Sequence, residues 1–350
     1  MRVCPILLAV LALAGCHKKK VDPAVATGRE LYGRMCAVCH GDAGEGYRAD
    51  QAPRMAQPDW LASASDAFLR EVIADGRAGS TMSAWGRSHG GPLDGAQVNA
   101  VISFLRTWQE GASVALDEAP LRGDAARGGP LYRARCAGCH GESGIGGNSP
   151  RVGNADFLRS ASDGYLRHAI SRGRPGTKMP AFAATLSATD IDDIIAALRA
   201  FPPPPPPPAP ALPPPQVPPL PLGPVPLHAR GPEPKGFNQH PGTTNVDVVK
   251  SELARGAKMA ILDARAPSDY VNEHITGAVS VPFYDPAPYF DKLPRNAWLV
   301  CYCSCPHAES GQLAQKLIAA GFKKVTVLNE GLLVWRNRQY PITKGQQPGP

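Results

Sequence analysis

Seven of the nine cysteines in this 350-residue chain fall into three short clusters. Two clusters share one spacing, Cys36-x-x-Cys39-His40 and Cys136-x-x-Cys139-His140. The third, "CYCSCPHAES", places Cys301, Cys303, Cys305 and His307 within ten residues. Thiols three apart sit on one helical turn. From there they can bond the two vinyl groups of a single porphyrin while the adjacent histidine faces the iron. A thioredoxin-like redox pair would need a βαβ setting, which neither copy has, and a zinc site would need further ligands at matching spacing. The first two clusters therefore predict two covalently bound haem c groups, with His40 and His140 as iron ligands. The third has the wrong spacing for haem and holds the thiols that no haem or lipid would use.

The elements that must position these residues repeat. "GRELYGRMCAVCHGDAGEG" from Gly28 matches "GGPLYRARCAGCHGESGIG" from Gly128. Apolar residues at helical spacing follow in both copies: Phe68, Leu69, Val72 and Ile73, then Tyr165, Leu166 and Ile170. A Gly-Arg pair and a methionine come next, Met82 in "GSTMSAWG" and Met179 in "GTKMPAF". Each copy closes on a long amphipathic helix, carried by Val98, Val101, Ile102, Leu105 and Trp108 or by Ile191, Ile194, Ile195 and Leu198. The pattern predicts two small all-α domains, at residues 24–111 and 122–201.

These residues resemble class I c-type cytochromes. The resemblance implies an electron-transfer fold in which the methionine downstream of the histidine is the second axial ligand, usually followed by proline. Met179-Pro180 fits that setting; Met82 is followed by Ser83 instead. Thioether ligation favours ferrous iron, and two filled axial positions favour electron transfer over chemistry at the metal. Met35 and Met55 are expected to pack, and His89 and His168 to cap or face solvent rather than bind iron.

About half of Pro202 to Pro234 is proline, including seven in succession. Such a tract adopts extended polyproline II. At about 3.1 Å per residue it could reach roughly 100 Å, so residues 202–236 read as a spacer. Beyond it, "KMAILDAR", "AVSVPF", "AWLVCYC" and "KKVTVL" read as strands, alternating with helices at "NVDVVKSELARG", "ESGQLAQKLIAAGF" and "GLLVWRNRQ". Residues 237–345 are therefore expected to form an α/β domain with a mostly parallel sheet.

Within that domain, Asp263-x-Arg265, Asp269-Tyr270, His274-Ile275-x-Gly277-Ala278 and the closing "EGLLVWR" resemble the rhodanese (sulfurtransferase) pattern. The resemblance implies a cysteine at a strand end, cradled by loop N–H groups and a helix N-terminus that stabilise its thiolate. Cys303, after "AWLVCY" and before a helix at Ser310, is the candidate nucleophile. It would take sulfane sulfur as a persulfide and pass it on. The loop departs from the family's Cys-x-x-Gly-x-Arg-Ser: Pro306 and His307 replace the glycine region and Glu309 stands at the arginine. A carboxylate there would disfavour thiosulfate, and only a protonated His307 would offset it. Cys301 reads as a core thiol and Cys305 as a resolving thiol or a partner in a Cys303–Cys305 bridge. Two alternatives stay open: a soft-metal site from Cys303, Cys305 and His307, and an inactive module used for docking.

The N-terminus carries Arg2, an apolar run from Pro5 to Ala14 and the sequence Leu13-Ala14-Gly15-Cys16. It resembles a bacterial lipoprotein signal, which implies removal of residues 1–15 and acylation of Cys16, with residues 16–23 as a tether; an ordinary signal peptide is the alternative. No later segment is expected to cross a bilayer. The formal charge of +7 has no basic stripe interleaved with aromatics, so nucleic acid is not an expected partner. The sequence thus predicts a lipid-anchored dihaem electron carrier facing the periplasm, working with redox proteins of the envelope. A small sulfur compound would be handled at Cys303. Oxidising such a compound would release electrons in pairs that two haems could accept singly.

Overall fold

The structure, a computed structural model, describes residues 22–46, 52–77, 80–145, 149–201, 225, 228–304 and 307–349. The signal segment with Cys16, most of the proline tract and Cys305 lie outside the described residues.

The first helical unit comprises α1 (Pro23–Met35), α2 (Ala37–His40), α3 (Pro58–Ser63), α4 (Asp66–Asp75) and α5 (Gly95–Arg106). The second repeats it as α6 (Ala125–Arg135), α7 (Ala137–His140), α8 (Ala155–Ser160), α9 (Asp163–Arg172) and α10 (Ala188–Ala200). Side chains that accept from free N–H groups start the helices: Asp22 and Asp124 cap α1 and α6, and Ser65 and Ser162 cap α4 and α9. Capping boxes, Asp94 with Gln97 and Ser187 with Asp190, open α5 and α10. In each unit the first helix crosses the last at a glycine. A Cβ on Gly28 would lie 1.9 Å from the Ala100 carbonyl oxygen, and one on Gly128 1.8 Å from that of Asp193. Only glycine permits a crossing that close. The crossing brings Tyr32 against Phe104 and Trp108, at ring separations of 5.3 and 5.2 Å.

The C-terminal unit runs β1 (Thr243–Thr244), α11 (Val246–Ala254), β2 (Met259–Asp263), α12 (Pro267–Asn272), β3 (His274–Ile275), β4 (Ala278–Ser280), β5 (Trp298–Tyr302), α13 (Ala308–Ala319), β6 (Val325–Leu328), α14 (Gly331–Asn337) and β7 (Ile342–Thr343). Five strands form a parallel sheet in the order β1-β6-β5-β2-β4, with Ile261 opposite Val300 and Val300 opposite Thr326. The central strands β2 and β5 are buried almost along their whole length, as expected of a parallel sheet, and are apolar but for Asp263 and the Tyr302 hydroxyl. β3 and β7 pair as a separate antiparallel ribbon. The alternating pattern foretold four of these strands; the two-residue β1, β3 and β7 are too short to leave a period in the sequence. No described helix is long and apolar enough to cross a membrane.

The units touch. Phe68 of the first helical unit stacks on Tyr165 of the second at 5.0 Å, and Asp59 accepts from Arg174 (3.0 Å) and His168 (3.3 Å). The first helical unit also meets the α/β unit. There Ser83 Oγ donates to Asp269 Oδ2 at 2.6 Å, Ser268 Oγ donates to the Ala84 carbonyl at 2.8 Å, and Trp85 lies 5.7 Å from the Tyr284 ring. A cavity of about 390 Å³ lies along this boundary, with Leu31, Arg34 and Met35 on one side and Tyr284, Asp285 and Tyr289 on the other.

Candidate functional site

Cys36 closes α1 with its N–H on the Tyr32 carbonyl, and the chain turns at once into α2, which carries Cys39 and His40. The same step joins α6 to α7 at Cys136. Tyr32 and Tyr132 donate through their hydroxyls to the Gly41 and Gly141 carbonyls, at 2.7 and 2.9 Å, tying each first helix to the turn that follows it. His40 Nδ1 lies 2.9 Å from the Pro53 carbonyl oxygen, and His140 Nδ1 lies 2.8 Å from that of Pro150. A carbonyl can only accept, so Nδ1 carries the proton in both rings and Nε2 is left with its lone pair. Burial lowers the His40 pKa, against a smaller opposing effect of the Pro53 carbonyl. The Cys36 and Cys136 thiols are pushed up to about 12 and about 11, chiefly by burial. Such thiols are poor nucleophiles, unlike those of a redox pair.

The two methionines sit on loops with the same hydrogen bonds. Arg77 N–H donates to the Met82 carbonyl at 2.9 Å, and Arg174 N–H to that of Met179 at 3.0 Å. The Met82 N–H donates to Ser80 Oγ and the Met179 N–H to Thr177 Oγ1. Downstream, Trp85 and Phe182 return to the Ile73 and Ile170 carbonyls, both at 3.1 Å. Ser83 therefore follows Met82 in a loop closed like that of Met179-Pro180. Met35 is buried in the core and Met55, partly buried, packs against it, as expected. His89 is an exposed partner of Asp75 at 2.9 Å, and His168 belongs to the contact with Asp59.

Cys303 follows β5 and is fully buried, as is Cys301 inside the strand. Helix α13 begins at Ala308, two residues earlier than the sequence pattern suggests, so Ser310 lies in its first turn with Oγ 3.3 Å from Cys303 Sγ. His307 precedes the helix, exposed and in the left-handed region at φ 78°. α13 approaches α2 of the first unit within 8 Å between Cα atoms.

Glu309 requires a correction. The sequence reading gave it a negative charge that repels anionic donors. It is buried, and burial, then the nearby Cys303, holds its carboxyl well above the usual carboxylate range. The shift moves the balance toward the neutral carboxyl, which weakens its repulsion of an anionic donor.

Other residues around the thiol were read only as pattern positions. Gly331 has φ 67°, and a Cβ there would lie 2.7 Å from the Cys303 carbonyl oxygen. The next residue, Leu332, donates its N–H to that same oxygen at 2.9 Å. Arg265 pairs with Asp263 at 2.6 Å and reaches Ser304 Oγ at 3.4 Å, and Tyr302 hydroxyl donates to Asp263 at 2.5 Å. Among the described residues no group of three or more His, Cys, Asp or Glu side chains is placed to hold a metal ion.

Comparison with known proteins agrees with this division. The family profile "Cytochrome C oxidase, cbb3-type, subunit III" matches residues 23–105 and 123–196, and the rhodanese-like domain profile matches residues 245–338. A cbb3-type cytochrome c oxidase subunit FixP of Bradyrhizobium diazoefficiens is 29% identical over 201 residues, covering 53% of this chain and 65% of that protein. A subunit CcoP of Azospirillum sp. is 28% identical over 189 residues, covering 49% of this chain and 60% of that one. The chain thus spans less than two thirds of the length of these relatives. The rhodanese-like domain of a protein from Anabaena sp. is 29% identical, covering 29% of this chain and 78% of that one with a TM-score of 0.28. The chain thus contains two helical cytochrome c segments and a C-terminal, mostly parallel α/β rhodanese-like domain.

Proposed function

We propose that this protein is a dihaem electron carrier of the bacterial cell envelope, anchored through a lipid on Cys16 and facing the periplasm, whose rhodanese-like domain takes up sulfane sulfur at Cys303. The observation that carries the electron-transfer reading is the matched geometry of the two Cys-x-x-Cys-His turns. In both, Nδ1 of the histidine is committed to a proline carbonyl and Nε2 keeps its lone pair. Residues so arranged fit covalent haem. Cys36 and Cys39, and Cys136 and Cys139, would hold the two porphyrins by thioether bonds. His40 with Met82, and His140 with Met179, would ligate the two irons. Haem supplies reversible one-electron exchange, and methionine ligation favours its ferrous form. The chain fixes the imidazole through a carbonyl partner and presents the thioether from a hydrogen-bonded loop. The similarity to cbb3-type oxidase subunits supports redox proteins of the envelope as donor and acceptor.

At the α/β domain the Cys303 thiolate attacks the outer sulfur of a donor such as thiosulfate. The donor S–S bond breaks, sulfite leaves with the bonding electron pair, and a Cys303 persulfide remains. A nucleophilic acceptor then takes the outer sulfur and restores the thiolate. His307, when protonated, adds positive charge at the loop, and Cys305 is the candidate resolving thiol. The full burial of Cys303 favours a second reading, in which the domain serves for docking without turnover.

Mass spectrometry of the protein matured with haem, before and after polysulfide or thiosulfate, separates these readings. Two covalent haems and one added sulfur on the Cys303 peptide, lost in Cys303→Ser, are expected. One haem per chain would overturn the dihaem assignment. An unchanged Cys303 peptide would leave docking as the domain's role.

A further inference from the structure

Family resemblance leads one to expect proline after the axial methionine, and the second cytochrome segment has it in Pro180. A proline fixes its own φ and so lowers the entropy lost when the loop is held in one conformation. The first segment has Ser83 there. Its loop nevertheless closes with the same backbone hydrogen bonds, and it differs in one further respect. Three consecutive residues after Met82 are each gripped by the rhodanese-like domain. Ser83 Oγ donates to Asp269 Oδ2 at 2.6 Å, the Ala84 carbonyl accepts from Ser268 Oγ at 2.8 Å, and the Trp85 ring lies 5.7 Å from Tyr284. Ser83 is buried by this contact and Pro180 is exposed.

We propose that the rhodanese-like domain is the clamp that holds the Met82 loop, with Asp269, Ser268 and Tyr284 as positioning residues for the axial methionine of the first cytochrome segment. The proposal rests on the assignment of Met82 as an iron ligand. Asp269 is suited to the task because it sits at the start of α12, a short helix with little freedom of its own. Arg265, itself locked on Asp263, extends its guanidinium to the Asp269 carbonyl at 3.5 Å and to that of Glu273 at 2.6 Å. The clamp is thus mounted on the buried frame of the α/β domain, and it replaces a local restraint, proline, with one from 186 residues away.

The full-length holoprotein tests this with the second haem as an internal control. In wild type, two methionine-to-iron signatures are expected in the ferric spectrum, one for each haem. In Ser83→Ala and Asp269→Ala, one of the two weakens and one midpoint potential falls, because loss of thioether ligation disfavours ferrous iron. Ser83→Pro, which restores the family dipeptide, should make the first haem indifferent to Asp269→Ala. Unchanged spectra and potentials in both single variants would overturn the clamp while leaving the ligand assignment standing, as would equal changes at both haems. A wild-type protein with one methionine signature would overturn the Met82 assignment and the clamp with it.

Discussion

Ser83 and Asp269 share a hydrogen bond of 2.6 Å although 186 residues separate them. It joins the methionine loop of one domain to the first turn of a helix in another. Other pairings hold the remaining contacts of the molecule, and several can be tested by substitution.

Asp59 binds both Arg174 and His168 from the second cytochrome segment. The Arg174 side chain is 12% exposed, so removing Asp59 leaves a largely buried cation with Ser63 Oγ and the Tyr165 ring but without its counter-ion. Asp59→Ala is expected to cost about 1–3 kcal/mol. Urea unfolding of Asp59→Ala, Arg174→Ala and the double variant should give a coupling energy well above experimental error.

Gly331→Ala would introduce a side chain at φ 67° whose Cβ meets the carbonyl oxygens of Cys303 and Ser304 at 2.7 and 2.9 Å. Strain of that kind costs about 1–3 kcal/mol. Chemical denaturation should register the loss. Sulfur loading of Cys303 should fall in the same variant, because the strain is relieved by moving the thiol loop.

Asp263 lies at the centre of a buried set, accepting from Arg265 and from the Tyr302 hydroxyl. Removing one partner of a buried ion pair typically costs about 3–5 kcal/mol. Asp263→Ala should therefore unfold the rhodanese-like domain at lower urea, while haem spectra of the second cytochrome segment stay unchanged.

Glu309 gives a pH dependence with a definite sign. Its pKa is raised in the folded protein by burial and by Cys303, so the native state keeps a proton that the unfolded chain releases. Stability from this group is complete below the ordinary glutamate pKa of about 4.3 and declines as pH climbs towards the raised value, by up to about 1.4 kcal/mol per pH unit. Glu309→Gln should flatten that decline relative to wild type. Denaturant midpoints measured across this range would show it; parallel profiles for the two proteins would exclude a buried acid.

The repeat was legible because it is spelled twice. Cysteine spacing, the Gly-Arg pair and the methionine recur in the same order, and each copy folds into the same helices. Rhodanese positions were legible as pattern, and Cys301 as a core thiol. The role of Glu309 was not, because a sequence gives residue type without burial, and burial decides whether a carboxyl carries charge. Asp269 looked like a fold-marking acidic residue, since nothing local announces a partner in another domain. Gly331 looked like part of a closing motif, and only the approach of the Cys303 carbonyl explains why no side chain fits there.

The docking of the rhodanese-like domain on the first cytochrome segment has a kinetic and a concentration aspect. Both partners belong to one polypeptide, so their encounter is intramolecular and takes place at an effective concentration set by the length and stiffness of the chain between them. A contact whose described residues include two hydrogen bonds, one aromatic pair and a cavity need not be strong enough to hold two free proteins together. It can open and re-form without losing its partner to dilution. Cleavage within residues 202–224 would turn the same contact into a bimolecular one, whose occupancy then depends on how much protein is present.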